Sequence, residues 1–139
     1  MLRTKDILDE KDPRVRAKNT DVDFPLNDEY KDIIPEMLKH LRYSQIEKLS
    51  KKYDLRPGMG LAAPQLGINK NFFVVCYEVK DGVFDDYILI NPKVISYSEE
   101  MIYAGEGEGC LSVNREVEGI VPRHARITVE AYDLDGNKR

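Results

Sequence analysis

The sequence predicts an α+β fold in which mostly antiparallel sheets pack around a central helix. Two observations lead to this class. Apolar residues at helical spacing come first, and several segments rich in β-branched and aromatic residues follow them. Helix followed by a run of strands, without regular alternation, is typical of α+β domains with antiparallel pairing. No repeat or linker interrupts the order, so we expect a single domain over residues 1–139.

The helix is predicted from a stripe of apolar residues that begins after a polar N-terminal segment. Asn27 or Asp28 is placed to cap it. Pro35 either kinks a helix that begins near Asp28 or occupies the first turn of a later one, because proline cannot donate to the helical ladder. A second, turn-rich piece follows. The stripe comprises Ile33, Ile34, Met37, Leu38, Leu41, Ile46 and Leu49.

Segments with the residue pattern of β-strands make up most of the chain after Gln65. The segments are residues 71–79, 87–90, 93–97, 101–104 and 126–133. Asp135-Gly136 then predicts a hairpin turn, and residues 137–139 begin a return strand. Because folded domains usually avoid an unpaired edge, we expect the domain to be truncated at its C-terminus.

Composition excludes several classes of function. The chain is 42% hydrophobic and 33% charged, as in ordinary globular proteins, and its formal charge of -4 is spread without a basic stripe. Direct nucleic-acid binding is therefore not expected. No run approaches the ~18 apolar residues of a membrane span, and the N-terminus lacks the apolar stretch of a signal peptide. We expect a cytoplasmic protein. The polar N-terminal segment is expected to wrap the surface and to contain one short helix near residues 5–8.

The two cysteines have different settings. Cys76 lies in a β-branched and aromatic run, which is typical of a core residue. Cys110 follows a segment in which glycines alternate with Glu106 and Glu108. One interpretation is a flexible acidic turn with an incidental cysteine. The other is a metal ligand, because neighbouring acids disfavour a free thiolate, whereas a bound cation favours deprotonation. Metal ligation therefore suits Cys110 better than nucleophilic catalysis.

A second candidate segment is Gly58-Met59-Gly60-Leu61-Ala62-Ala63-Pro64-Gln65. Its small residues permit close backbone approach, and Gln65 adds a lone amide. Taken alone, the segment is equally typical of a glycine-rich turn that leads into a packed strand. It lacks the Lys and Ser/Thr of a phosphate loop and the spacing of a dinucleotide fingerprint, so nucleotide binding is not expected.

Together the two segments resemble the first two signature motifs of the peptide deformylases. These motifs are Gly-x-Gly-φ-Ala-Ala-x-Gln, found at residues 58–65, and Glu-Gly-Cys-φ-Ser, found at residues 108–112, with φ apolar. Leu89-Ile90-Asn91-Pro92 and Val121-Pro122-Arg123 are also similar to the family. The longer connection between residues 43 and 56 resembles the Gram-positive type. The resemblance covers nearly the whole chain.

The resemblance implies removal of the formyl group from the formyl-methionine of nascent polypeptides, with a divalent metal. Fe²⁺ is expected first, with Zn²⁺, Ni²⁺ or Co²⁺ as alternatives. Cys110 would be the thiolate ligand of a metal that activates water at neutral pH. The side-chain amide of Gln65 and the backbone N–H of Leu111 would donate to the developing oxyanion, each donor being worth ~3 kcal/mol.

The resemblance also implies roles for the neighbouring residues and for partners. Backbone near Met59, Gly60 and Gly109 would hold the peptide as an added strand. Glu108 and Ser112 would support the site from behind. The expected partner is an N-formylmethionyl peptide of a nascent chain, and a transient contact with the ribosome is compatible with that role. We expect a monomer that binds neither nucleic acid nor membrane directly.

The third motif of the family, His-Glu-x-x-His on a C-terminal helix, does not occur in these 139 residues. The histidines present, His40 and His124, stand alone, and we expect surface or packing roles for both. The sequence therefore lacks two metal ligands and the general base, and we expect the chain to be inactive by itself.

Two other classes of function stay open. A catalytically dead, deformylase-like module would bind peptides only, although a pure binder has no chemical reason to keep both motifs. A cysteine hydrolase would use Cys110 with His124, but such a nucleophile needs an electropositive site, and the local acids argue against it.

Overall fold

The computed structural model describes residues 2–102, 110–112 and 122–138. Its two α-helices are α1, Asp28–Ser44, and α2, Glu47–Tyr53. Short 3-10 helices cover Thr4–Asp6, Pro13–Val15 and Ala63–Leu66. The strands are β1, Gly60–Ala62; β2, Phe72–Lys80; β3, Val83–Tyr97; β4, Met101–Ile102; β5, Arg123–His124; and β6, Ile127–Tyr132. Over these residues, no helix combines the length and the apolarity needed to cross a membrane.

The strands form two antiparallel sheets. The larger has the order β1-β2-β3-β6, and β4 pairs with β5 in the smaller. Helices followed by antiparallel sheets confirm the α+β prediction. Among the described strands, β1 stands at one edge of the larger sheet, where one of its sides has no strand neighbour.

Helix α1 begins where the sequence predicts. The side chain of Asn27 accepts a hydrogen bond from the Glu29 N–H at 2.8 Å and so caps the helix. Pro35 lies inside α1 and not at its start, a position that usually costs about 3 kcal/mol. Burial of the inner face offsets this cost. That face consists of Ile34, Met37, His40, Leu41 and Ser44.

The inner face of α1 packs on one face of the larger sheet. Alternate residues of β2 are buried there, and the strand register places Leu61 of β1 and Ile90 of β3 on the same face. Burial of large apolar side chains contributes roughly 2 kcal/mol each. The core comprises Val22, Leu26, Ile34, Met37, Leu41, Leu61, Ala63, Phe72, Val74, Cys76 and Ile90.

Strand β3 is longer than expected, because the predicted segments 87–90 and 93–97 are one strand. At the join, Asn91 has a φ of 52°, and the pairing with β6 shifts register between Ile90 and Lys93. The Asn91 side chain accepts from the Val22 N–H at 2.8 Å and donates to the Val22 carbonyl at 3.0 Å. The Asn-Pro pair is therefore an irregularity held by the N-terminal segment, and it does not end the strand.

The chain termini follow the sequence expectations with small changes. The short N-terminal helix is a 3-10 helix at Thr4–Asp6. The turn at Asp135-Gly136 is present, since Gly136 has a φ of 84° and Tyr132 pairs antiparallel with Lys138. Of the predicted strand 101–104, β4 covers the first two residues, and the others lie outside the described residues.

The buried thiol of Cys76 makes stability depend on alkaline pH. Burial raises the pKa of Cys76 from its ordinary 9.0 to about 11, and the neighbouring Asp86 carboxylate adds to the shift. The unfolded thiol therefore loses its proton first, and folding stability falls as the pH rises between about 9 and 11. Urea unfolding at several pH values should show a steeper fall for wild type than for Cys76→Ala. Parallel pH profiles of the two proteins would contradict this prediction.

Candidate active site

The two sequence motifs meet in a cleft of about 450 Å³. Met59, Gly60, Gln65, Cys110 and Leu111 all line it, as the sequence predicts for neighbours in one site. Glu108 and Gly109, also predicted there, lie outside the described residues. The remaining lining residues are Gln45, Arg56, Pro57 and Gly58.

The side chain of Gln65 is oriented by the strand that precedes it. Its Oε1 accepts from the Ala62 N–H at 3.0 Å. Because that N–H can only donate, the amide oxygen must face it and the NH₂ group must face the other way. There Nε2 donates to Ser112 Oγ at 3.1 Å and lies 3.8 Å from Cys110 Sγ. Both motifs are thus joined by one side-chain amide.

The N-terminal segment fastens both motifs from outside. The Leu8 N–H donates to the Gln65 carbonyl at 2.7 Å, and the Glu10 N–H donates to the Ser112 carbonyl at 2.8 Å. Ser112 is only 2% exposed, so this support holds its hydroxyl against Gln65. Ser112 thus lies behind Gln65, and its supporting role stays a prediction. These backbone contacts have no local sequence signal.

The end of helix α1 holds the loop that begins the first motif. Ser44 Oγ accepts from the Gly58 N–H at 3.1 Å, and Gln45 Nε2 donates to the Gly58 carbonyl at 2.8 Å. The same Nε2 donates to the Cys76 carbonyl at 2.7 Å. The sequence alone did not predict that Ser44 and Gln45 would hold this loop, because polar residues at a helix end usually face water.

Gly58 also allows the two motifs to touch. A Cβ atom at this position would lie 3.0 Å from the side-chain carbons of Leu111. Such a contact is unusually tight, so a larger residue would require the Leu111 side chain to shift by a few tenths of an ångström. Here the sequence requirement for a small residue has a direct steric cause.

The backbone of Gly60 faces the open edge of the larger sheet. The Cys76 N–H donates to the Met59 carbonyl at 2.8 Å, so the backbone of Met59 faces β2. Antiparallel pairing alternates, and the N–H and C=O of Gly60 must therefore point away from β2. A Cβ at Gly60 would meet only the Val74 carbonyl, at 3.8 Å. The side chain of Met59 is 62% exposed beside this edge.

Arg56 is a cleft residue that the sequence reading did not select. Its Nη2 donates to the Cys110 carbonyl at 2.6 Å. A guanidinium is permanently charged, and it makes hydrogen bonds stronger than those between neutral groups. Arg56 therefore brings positive charge to the cysteine segment, where the sequence alone showed only acids.

The described residues supply one metal-binding group to the cleft, the exposed thiol of Cys110. Within the described ranges, no three His, Cys, Asp or Glu side chains are grouped to hold a metal ion. His40 is fully buried, with Nδ1 at 2.9 Å from the Leu2 carbonyl. His124 lies with Nδ1 at 2.8 Å from the Ser98 carbonyl and its ring against Tyr97.

Neither histidine lines the cleft, so among the residues described there Cys110 has no histidine base, and the Cys110–His124 hydrolase is not favoured despite the charge of Arg56. The residues present fit a metal only as a partial ligand set. Among the described residues that line the cleft, Cys110 is the one whose side chain could ligate a metal ion.

A sequence profile described as polypeptide deformylase matches residues 4–139. The chain belongs to the polypeptide deformylase family. A peptide deformylase of Macrococcus caseolyticus is 49% identical over 139 residues, which cover 99% of this chain and 76% of that protein. One of Oceanobacillus iheyensis is 46% identical, over 97% of this chain and 74% of its own length.

A solved structure agrees with the sequence relatives. The crystal structure of a probable peptide deformylase from Synechococcus phage S-SSM7 matches with a TM-score of 0.75 and 31% identity. The match covers 96% of this chain and 79% of that one. The predicted resemblance and fold are thus confirmed, and by family the protein is a hydrolase of the deformylase type.

The protein should become less stable when Gln45 is replaced by alanine. The Cys76 carbonyl would lose this donor and the Gly58 carbonyl would keep only the longer contact from Ser44 Oγ at 3.3 Å, which we expect to lower the free energy of unfolding by about 2 kcal/mol. Lys51→Ala is the control, because its ion pair with Glu47 is exposed and should be worth less than about 0.5 kcal/mol. Urea denaturation measures both. Equal effects of the two substitutions would contradict the bridging role of Gln45.

Proposed function

We propose that this chain binds N-formylmethionyl peptides of nascent polypeptides and forms part of a site that hydrolyses their formyl group. One observation carries the proposal: the amide of Gln65 joins the two motifs beside an exposed thiol and an open sheet edge. The geometry supplies the parts that such a reaction needs. Family membership supplies the reaction class.

The peptide would bind as an extended strand along β1. Gly60 offers an N–H and a C=O at the open edge, which is the arrangement used when a peptide is added to a sheet. The exposed side chain of Met59 gives an apolar surface beside it for a substrate side chain. The Met59 carbonyl is already paired with Cys76, so Gly60 provides the backbone contacts.

Donors to the oxyanion would come from Gln65 and Leu111. Gln65 has two N–H groups, and Ser112 Oγ takes one of them. The second is directed at Cys110 Sγ over 3.8 Å, a long contact with a weak acceptor, and the formyl oxygen would replace that sulfur as its acceptor as charge develops there. A preorganised donor of this kind lowers the activation free energy by about 3 kcal/mol, because it does not have to reorient during the reaction.

Cys110 would be the chain's ligand to a divalent metal, for which we propose Fe²⁺ ahead of Zn²⁺, Ni²⁺ or Co²⁺. A metal of this kind polarises the carbonyl and supplies an activated water. The described residues offer it no further cluster of ligands. We therefore propose that the 139-residue chain does not hold the metal firmly and is inactive by itself.

Formate release from a formyl-Met-Ala peptide tests the proposal. The samples are the 139-residue chain and the same chain extended by a helix with the family's His-Glu-x-x-His motif. We expect formate release and about one metal ion per chain only in the extended form. Activity of the unextended chain would contradict the incomplete ligand set. Peptide binding without formate release in the extended form would favour a binding module.

Two cysteine variants of the extended chain test the ligand assignment. Cys110→Ala should abolish metal binding, whereas Cys76→Ala should keep it, because Cys76 is fully buried away from the cleft. Metal content after gel filtration separates the two. Retention of one metal ion by Cys110→Ala would exclude Cys110 as the ligand.

Replacement of Gly60 tests the added-strand geometry. Gly60→Pro removes the N–H at the open edge, and the loss of about 1 kcal/mol should raise KM roughly fivefold. Gly60→Ala keeps the N–H and has room for its methyl group, so its KM should stay near that of wild type. A common KM for the proline and alanine variants would show that the peptide does not bind here.

A further inference from the structure

Arg56 reaches across the cleft and holds the peptide unit between Cys110 and Leu111. Its Nη2 lies 2.6 Å from the Cys110 carbonyl oxygen, a short distance for an N–H···O contact. A guanidinium is a rigid fork of donors, so this contact fixes a direction as well as a distance. Arg56 precedes the first motif in sequence, yet it acts on the second.

The contact also sets the direction of the Leu111 N–H. A peptide unit is planar, and in the trans form its C=O and N–H point to opposite sides. Among the described residues, the cis peptide bond is Phe24–Pro25, so the bond from Cys110 to Leu111 is trans. A donor that holds the Cys110 oxygen therefore holds the Leu111 N–H in the opposite direction.

The Leu111 side of this unit is held as well. Its side chain lies against Gly58, where a Cβ would come within 3.0 Å. Gly58 is in turn fixed by Ser44 and Gln45 at the end of α1. The peptide unit is thus fixed at its carbonyl by a charge-assisted hydrogen bond and at its side chain by packing.

We propose that Arg56 is a positioning residue that aims the Leu111 N–H at the formyl oxygen. The inference rests on the proposed function, because Leu111 is an oxyanion donor only in that reaction. Arg56 acts through the peptide unit and not by touching the substrate. Its loss therefore weakens stabilisation of the transition state more than binding of the ground state.

Kinetics of the extended, metal-loaded chain provide the first test. Arg56→Ala should lower kcat about 10- to 100-fold with less than a threefold change in KM, since a misaimed donor loses part of the ~100-fold or greater effect of one oxyanion group. Guanidinium ion should restore part of kcat in Arg56→Ala but not in Gln65→Ala. Arg56→Lys, which keeps one charged donor, should lose less. Arg14→Ala is the control, because its guanidinium pairs with Asp12 outside the cleft.

The opposite kinetic pattern would overturn the proposal. A rise in KM at constant kcat would mean that Arg56 binds the substrate directly. Unchanged constants, or a lower kcat that guanidinium does not restore, would mean that the contact has no positioning role. Arg56→Lys should keep the fold, so it decides the matter if the alanine variant does not fold.

NMR relaxation of the 139-residue chain is a second readout that needs no activity. The amide order parameter of Leu111 should be near the ~0.85 of rigid backbone in wild type and in Arg14→Ala, and should fall below ~0.6 in Arg56→Ala. An unchanged value in Arg56→Ala would overturn the proposal even if the enzyme is active. Absence of formate release from wild type would instead defeat the proposed function, while the order parameter still tests Arg56.

Discussion

The side-chain amide of Gln65 is the contact on which the site depends. Its oxygen is tied to the backbone of Ala62, and its nitrogen reaches Ser112 and Cys110 in the second motif. Because the two ends of an amide have opposite hydrogen-bonding character, the Ala62 N–H decides which atoms face the thiol. A carboxylate could accept from the Ala62 N–H and from the Ser112 hydroxyl, but it would have no N–H to direct at Cys110 Sγ. Glutamine at this position therefore follows from the geometry of its neighbours.

The rest of the structure keeps that amide in place. The 3-10 turn at Ala63–Leu66 follows an edge strand of three residues, which alone would be weakly held. The N-terminal segment adds backbone hydrogen bonds to Gln65 and Ser112, and the end of α1 adds side-chain bonds to Gly58. Each support comes from a distant part of the chain. The geometry of the cleft therefore depends on several elements that converge on it, and local propensity contributes little.

This arrangement explains how far the sequence alone could go. The helix, its Asn27 cap and the strand texture are local patterns, and the structure confirms them. The convergence of the two motifs was predicted through the family resemblance. The sequence did not predict the roles of Arg56, Ser44 and Gln45. These side chains bind backbone carbonyls and amides of other elements, and such contacts produce no periodicity or motif in the sequence. The break predicted between residues 90 and 93 was wrong for the same reason, since the partner of Asn91 is the backbone of Val22.

The edge strand also limits what the cleft can recognise. Two residues of β1, Gly60 and Ala62, direct their backbone groups away from β2, and Gln65 already takes the Ala62 N–H. Gly60 therefore offers the complete donor and acceptor pair at the described edge. Such a short contact gives little affinity for an extended peptide, and it carries little information about side-chain sequence. Under the proposed function, Met59 offers an apolar contact for one substrate side chain, and selectivity for formylated peptides comes from the formyl end, where Gln65 and Leu111 meet the group that distinguishes the substrate.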